Sequence, residues 1–81
     1  MIRILIAEDQ AMVREAIAGL LDLEGDLEVV AQVGRGDEVL AAARASGADV
    51  ALLDIEMPGA SGLEVLAALA AQQPDCRILI L

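Results

Sequence analysis

Two short apolar runs in this chain each end in carboxylates. Ile2 to Ala7 is closed by Glu8 and Asp9, and Val50 to Leu53 is closed by Asp54, after which comes Ile55-Glu56-Met57-Pro58-Gly59. Runs this short and this apolar read as strands covered on both faces, the habit of parallel sheets. Open α/β sheets place their chemistry beyond the carboxyl ends of their strands. The pattern therefore predicts an acidic pocket at one edge of a parallel sheet.

The segments between these runs fit that sheet. From Gln10 the period changes, and Met12, Val13, Ala16, Ile17, Leu20 and Leu21 follow the rhythm of an amphipathic helix. Glu24-Gly25-Asp26 reads as a turn. Leu27 to Val33, interrupted by Glu28 and Gln32, fits a strand nearer the sheet edge. Gly34-Arg35-Gly36 turns the chain into a second helical segment carrying Val39, Leu40 and Ala43, which ends around Ser46-Gly47. A strand over residues 49–53 runs into Asp54. Ser61-Gly62-Leu63-Glu64 has capping-box spacing, and Leu63, Leu66, Leu69 and Ala70 supply the face of a third helix. Gln73-Pro74-Asp75 stops that helix and residues 77–81 begin a fourth strand. The order βαβαβαβ, with crossovers long enough for helices, predicts right-handed connections and parallel strands.

Composition narrows the classes. Eighty-one residues make one domain at most, and a chain of that size buries only about 60% of its unfolded surface. The sequence is nevertheless 58% hydrophobic without a single aromatic residue, a high apolar load for a free-standing piece. Net charge is −9, and the five basic residues, Arg3, Arg14, Arg35, Arg44 and Arg77, are scattered. Such a surface repels phosphate backbones and anionic lipid, which argues against direct nucleic-acid binding and against a membrane role. No stretch approaches the roughly 18 apolar residues of a membrane span, and Glu8 and Asp9 interrupt any signal-peptide layout. The chain reads as cytoplasmic. Cys76 stands alone and reads as a small buried hydrophobe.

The strand at residues 77–81 leaves an exposed hydrophobic edge of the kind that invites pairing with another chain. The expectation is a fragment of a longer protein, with self-association or domain swapping through that fourth strand.

If the first and third strands lie side by side, Glu8, Asp9 and Asp54 converge. Three carboxylates that close raise the pKa of at least one unless a cation joins them. Mg²⁺ suits the need, because it takes oxygen ligands and keeps several waters; the backbone carbonyl of Glu56 could add another oxygen. With a metal screening an incoming phosphoryl group, a carboxylate can act as nucleophile and give an aspartyl phosphate. Simpler roles are open too. Asp9 could be a helix N-cap, Asp54 and Asp75 turn residues, and Met57-Pro58 only a helix stop. Gly34-x-Gly36 is too short for a dinucleotide loop and reads as a turn.

Through Ile6-Ala7-Glu8-Asp9-Gln10 and Leu53-Asp54-Ile55-Glu56-Met57-Pro58-Gly59-x-x-Gly62-Leu63-Glu64, the sequence resembles a bacterial two-component response-regulator receiver domain along its whole length. It looks most like receivers joined to a C-terminal helix-turn-helix output domain of the nitrate-regulator type. The resemblance implies a flavodoxin-like (CheY-like) doubly wound parallel sheet of strand order 2-1-3-4-5, of which residues 1–81 would be the N-terminal two-thirds, truncated after the fourth strand. It implies that Asp54 is the phosphoacceptor, charged by the His of a sensor kinase. Asp9 would bind Mg²⁺ directly, Glu8 mainly through water and Glu56 through its carbonyl, with Met57 and Pro58 shaping the pocket loop. The family's switch Ser or Thr after the fourth strand, and its Lys after the fifth, have no counterpart before Leu81; the chain contains no Lys and no Thr.

The expected role is thus a phospho-accepting signalling module and not a turnover enzyme. Two alternatives stand beside it. A haloacid-dehalogenase-like phosphatase also uses an Asp at a strand end with an acid two residues on, as in Asp54-Ile55-Glu56, but sets its nucleophile after the first strand. A structural half-domain could assemble into dimers without signalling.

Overall fold

Why the acidic residues meet follows from strand order. The computed structural model describes residues 1–81. Its elements run β1 (Ile2–Ala7), α1 (Ala11–Asp22), β2 (Leu27–Val33), a 3₁₀ turn (Gly36–Glu38), α2 (Val39–Ser46), β3 (Val50–Leu53), α3 (Gly62–Gln72) and β4 (Arg77–Ile80). All neighbours are parallel and the sheet order is β2-β1-β3-β4. This is the predicted doubly wound arrangement as far as four strands can show it. Ala7 stands opposite both Val33 and Leu53, so the chain leaves β1, β2 and β3 at one level.

Strand alternation divides the core into two layers. Leu5, Ala7, Ala51 and Leu53 face α2 and α3, where Val39, Ala43, Val65, Leu69 and Cys76 complete a buried cluster. Ile4 and Ile6 face α1, where Ala18 is buried and Ile17 and Leu21 are half-buried. Both faces therefore carry helices, but the α1 layer is much the thinner.

β2 contributes to both layers in an unexpected way. Leu27, Val29, Ala31 and Val33 alternate in sequence as one face would, yet Leu27 and Val29 pack on the α1 layer while Ala31 and Val33 pack on the other. The register slips between Ile4 and Leu5, so that Ile4 pairs with Val29 but Leu5 with Ala31. The additional residue of this bulge, Val30, switches the side on which later residues point.

Two helix faces differ from the periodicity reading. In α1, Met12, Val13, Ala16 and Leu20 are exposed, and the inward stripe is Ile17, Ala18 and Leu21. In α3, Leu63 and Ala70 are exposed, and Val65 and Leu69 point inward beside half-buried Leu66. Close contact fixes the roll of α3: a Cβ on Gly62 would lie 2.8 Å from the Ile55 carbonyl oxygen. Ser61 caps this helix, its hydroxyl accepting from the Glu64 N–H at 3.2 Å, whereas no reciprocal bond from the Ser61 N–H to the Glu64 carboxylate forms. α2 ends as expected, with Gly47 in the left-handed region (φ 64°) donating its N–H to Ala43. β3 begins one residue later than expected, at Val50. β4 closes at Ile80, although the Leu81 N–H still bonds the Leu53 carbonyl at 2.8 Å.

Candidate metal centre

Glu8 is the innermost of the acidic residues. It directly follows β1, its N–H donates to the Val33 carbonyl at 3.1 Å, and only 6% of its surface is exposed. Its Oε1 accepts the Gln10 N–H at 3.0 Å. Asp9, next along, is exposed, and Asp54 is half-buried at the end of β3 with its N–H on the Ala7 carbonyl at 2.9 Å. Carboxylate oxygens of Glu8, Asp9 and Asp54 all lie within 4.8 Å of one another. The backbone pairing of β1 with β3 brings these residues together, as two apolar runs ending in carboxylates predict.

Burial pushes the Glu8 carboxyl above the usual carboxylate range; the Gln10 N–H pulls it down, and the neighbouring Asp54 and Asp9 add to the rise. The chain's one salt bridge, Arg35 to Asp37 at 3.0 Å, lies elsewhere, so no basic side chain neutralises the trio. Three hard oxygen donors without a counter-charge fit a small divalent cation. Oxygens within 4.8 Å of one another leave room between them for such an ion with part of its water shell.

The simpler roles separate. Asp9 does not cap α1: Gln10 holds the N-cap position and the helix has no side-chain cap. Asp54 does form a turn, its Oδ1 accepting the Glu56 N–H at 3.0 Å. That bond aims the start of the β3–α3 loop and leaves the second Asp54 carboxylate oxygen outside the turn. Glu56 is exposed, Met57 is half-buried against the α2–α3 core and Pro58 is exposed. Cys76 is buried, and burial, with Asp49 nearby, pushes its thiol pKa up, so it is an inert core residue.

Two contacts were not visible as chemistry in the sequence. The Arg14 guanidinium donates to the Glu8 carbonyl at 2.7 Å, and the Gly36 N–H donates to the Pro58 carbonyl at 2.8 Å. Arg14 reads as a polar residue off a helical face, and Gly36 as half of a turn.

Residues 4–81 match the family model described as the response regulator receiver domain. The chain belongs to this family. It is 40% identical over 80 residues to a nitrate/nitrite response regulator protein homolog from Haemophilus influenzae, covering 99% of this chain and 38% of that protein. It is 44% identical over 81 residues to the transcriptional regulatory protein DesR of Bacillus subtilis, covering 100% of this chain and 40% of that protein. A DNA-binding response regulator of the LuxR family from Staphylococcus aureus superposes with a TM-score of 0.90 at 38% identity, over 99% of this chain and 67% of that one. The receiver thus spans about two-fifths of the length of these curated relatives. Its four parallel strands and three helices are those of the flavodoxin-like receiver fold. No helix is long and apolar enough to cross a membrane.

Proposed function

We propose that this receiver accepts a phosphoryl group on Asp54 from the phosphohistidine of a sensor kinase, in a cytoplasmic two-component pathway. The supporting observation is the convergence of Glu8, Asp9 and Asp54 within 4.8 Å at the carboxyl edge of β1 and β3. An Asp54 carboxylate oxygen attacks phosphorus, the new O–P bond forming as the N–P bond of the donor histidine breaks; the imidazole leaves and takes up a proton. Asp9, Asp54 and the Glu56 carbonyl would hold Mg²⁺, and Glu8 would reach it through water. Bound Mg²⁺ supplies the positive charge that lets two anions approach. The Asp54–Glu56 turn bond keeps one acceptor oxygen occupied and leaves the other to react. Met57, half-buried against the core, anchors the pocket loop, and Pro58 stiffens it.

In this reading the chain makes no product that it releases in turnover; the phosphoryl group remains on it as a signal. Residues 1–81 form the N-terminal two-thirds of a receiver whose longer protein controls transcription through an output domain. With a net charge of −9 this segment itself does not bind nucleic acid. Leu79 and Ile80 on β4, and Leu81 after it, are exposed at the sheet edge, which supports self-association there.

The test is an adduct measurement by mass spectrometry and ¹⁹F NMR after incubation with Mg²⁺ and acetyl phosphate or beryllofluoride. The expected result is one adduct that Asp54→Asn abolishes. An adduct that survives Asp54→Asn refutes the assignment, and continued hydrolysis of phosphate esters favours the phosphatase alternative.

A further inference from the structure

The turn from Gly34 to Asp37 contributes no ligand to the acidic trio, yet it touches both loops that do. On one side, the Arg14 guanidinium lies over Gly34, where a Cβ would stand 3.1 Å from Arg14 Nη1 and 3.8 Å from the Glu8 carbonyl oxygen. The same Nη1 donates to that carbonyl at 2.7 Å. Absence of a side chain at Gly34 is what lets the guanidinium reach the Glu8-Asp9 backbone. On the other side, the Gly36 N–H donates to the Pro58 carbonyl at 2.8 Å, and Gly36 is buried against the Ala60 backbone. A Cβ there would lie 3.1 Å from both the Ala60 N and C atoms, and nearer still to its carbonyl oxygen. Gly59, at φ 97°, completes the contact: a Cβ on it would stand 2.7 Å from Asp37 Cγ and 3.2 Å from Arg35 Nη2. Asp37 and Arg35 are paired at 3.0 Å and lie together against it.

We propose that Gly34–Asp37 is a positioning element that sets the distance between the Glu8-Asp9 pair and the Asp54–Pro58 loop, and so sets the affinity of the site for a divalent cation. The inference rests on the functional reading above. Its physical basis is backbone rigidity. A backbone N–H to carbonyl bond holds the far end of the acceptor loop, and a guanidinium holds the near end of the acidic pair. The Gly36 N–H belongs to the turn itself, whereas the guanidinium is carried by Arg14 on α1 and rests against Gly34, one residue after the Val33 carbonyl that holds the Glu8 N–H. A side chain at position 36 would push the turn away from the acceptor loop, and one at position 34 would displace the guanidinium from its seat. Flexible Arg14 can give way at Gly34, whereas the Ala60 backbone at Gly36 cannot. Outer contacts that orient metal ligands are commonly worth about 10- to 100-fold in affinity.

The experiment is a Mg²⁺ titration of the chain, followed by calorimetry and by ¹H–¹⁵N NMR. It compares the parent with Gly36→Ala, Gly34→Ala, Arg14→Met and Arg14→Lys. Gly25→Ala, at an open position, and Leu69→Ala, in the core, serve as controls. Gly36→Ala is expected to weaken Mg²⁺ binding by about tenfold or more and to move the Asp54 and Glu56 amide signals even without metal. Gly34→Ala and Arg14→Met weaken it less, and Arg14→Lys, which can still donate to the Glu8 carbonyl, recovers most of the loss. Folded Gly36→Ala and Gly34→Ala variants within about twofold of the parent overturn the proposal, far below the effect expected of an outer contact. It is equally overturned if Leu69→Ala, which loosens the core but leaves the bonds of the turn and of Arg14 in place, weakens binding as much. If Gly36→Ala does not fold, Gly34→Ala and the Arg14 pair decide by the same criteria. A parent that binds no Mg²⁺ overturns this inference together with the functional reading; a parent that binds, with unaffected variants, overturns this inference alone.

Discussion

Glu8 is a carboxylate that the fold keeps from water without giving it a cation. Its pKa is raised in the folded chain, first by burial and then by Asp54 and Asp9. The protonated form is thus the one the fold prefers. Its contribution is full below the ordinary Glu value of about 4.3 and is lost as pH rises through the higher folded value. Thermal melts in chelator are expected to show stability falling with pH across that window. Glu8→Gln should flatten the fall and raise Tm near neutrality, and an unchanged slope would refute Glu8 as its source. Added Mg²⁺ should restore the parent at neutral pH and leave Glu8→Gln less affected. The trio itself was legible in the sequence, because each carboxylate directly follows an apolar run. The distinction between them was not. That Glu8 is sealed while Asp9 is exposed depends on the Glu8 N–H pairing with Val33, a contact between residues 25 apart in the chain. The Asp9 cap was a fair inference from residue type, but α1 starts a residue too late for it.

Among the elements, the two helices whose inward faces departed from periodicity teach the same lesson. From Leu63 to Ala71 every residue but Glu64 is apolar, so hydrophobic spacing cannot select a face. Gly62 against Ile55 selects it instead, turning Leu63 out and Leu69 in. α1 likewise carries more apolar residues than the sheet beneath it can cover, and Met12 and Leu20 stay outside. The energetic consequence is a contrast between leucines of one composition. Leu69→Ala empties a fully buried position and should cost about 2–5 kcal/mol. Leu63→Ala and Leu20→Ala, at 72% and 68% exposure, should cost no more than about 0.5 kcal/mol. Urea unfolding measures all three, and equal losses would contradict the observed rolls. Strand existence and order were readable because short apolar runs and turn residues alternate so regularly. Helix roll was not, because it is decided by contacts between elements.

At the scale of the molecule, β2 and β4 are the two edges of the four-stranded sheet, and they differ in cover. β2 forms one edge and is half-covered, with Ala31 and Val33 in the larger core layer, while β4 leaves Leu79 and Ile80 to solvent. Sedimentation over a range of concentrations should show mass rising above the 8.4 kDa of one chain. Ile80→Lys, which places a charge on the open edge, should lower that rise. A monomer at every concentration, in parent and variant alike, would refute association through β4. The opposite edge has its own consequence. Seven residues of β2 run alongside six of β1, since one residue is absorbed where the register slips. Were that residue paired and not absorbed, the end of β2 would overshoot by one strand step, about 3.3 Å, and its later side chains would exchange sides. Val33 would then pass the level of Ala7, and Gly36 would arrive out of phase with Pro58. The slip works as a vernier: a one-residue adjustment made halfway along a strand brings a distant turn level with the acidic edge.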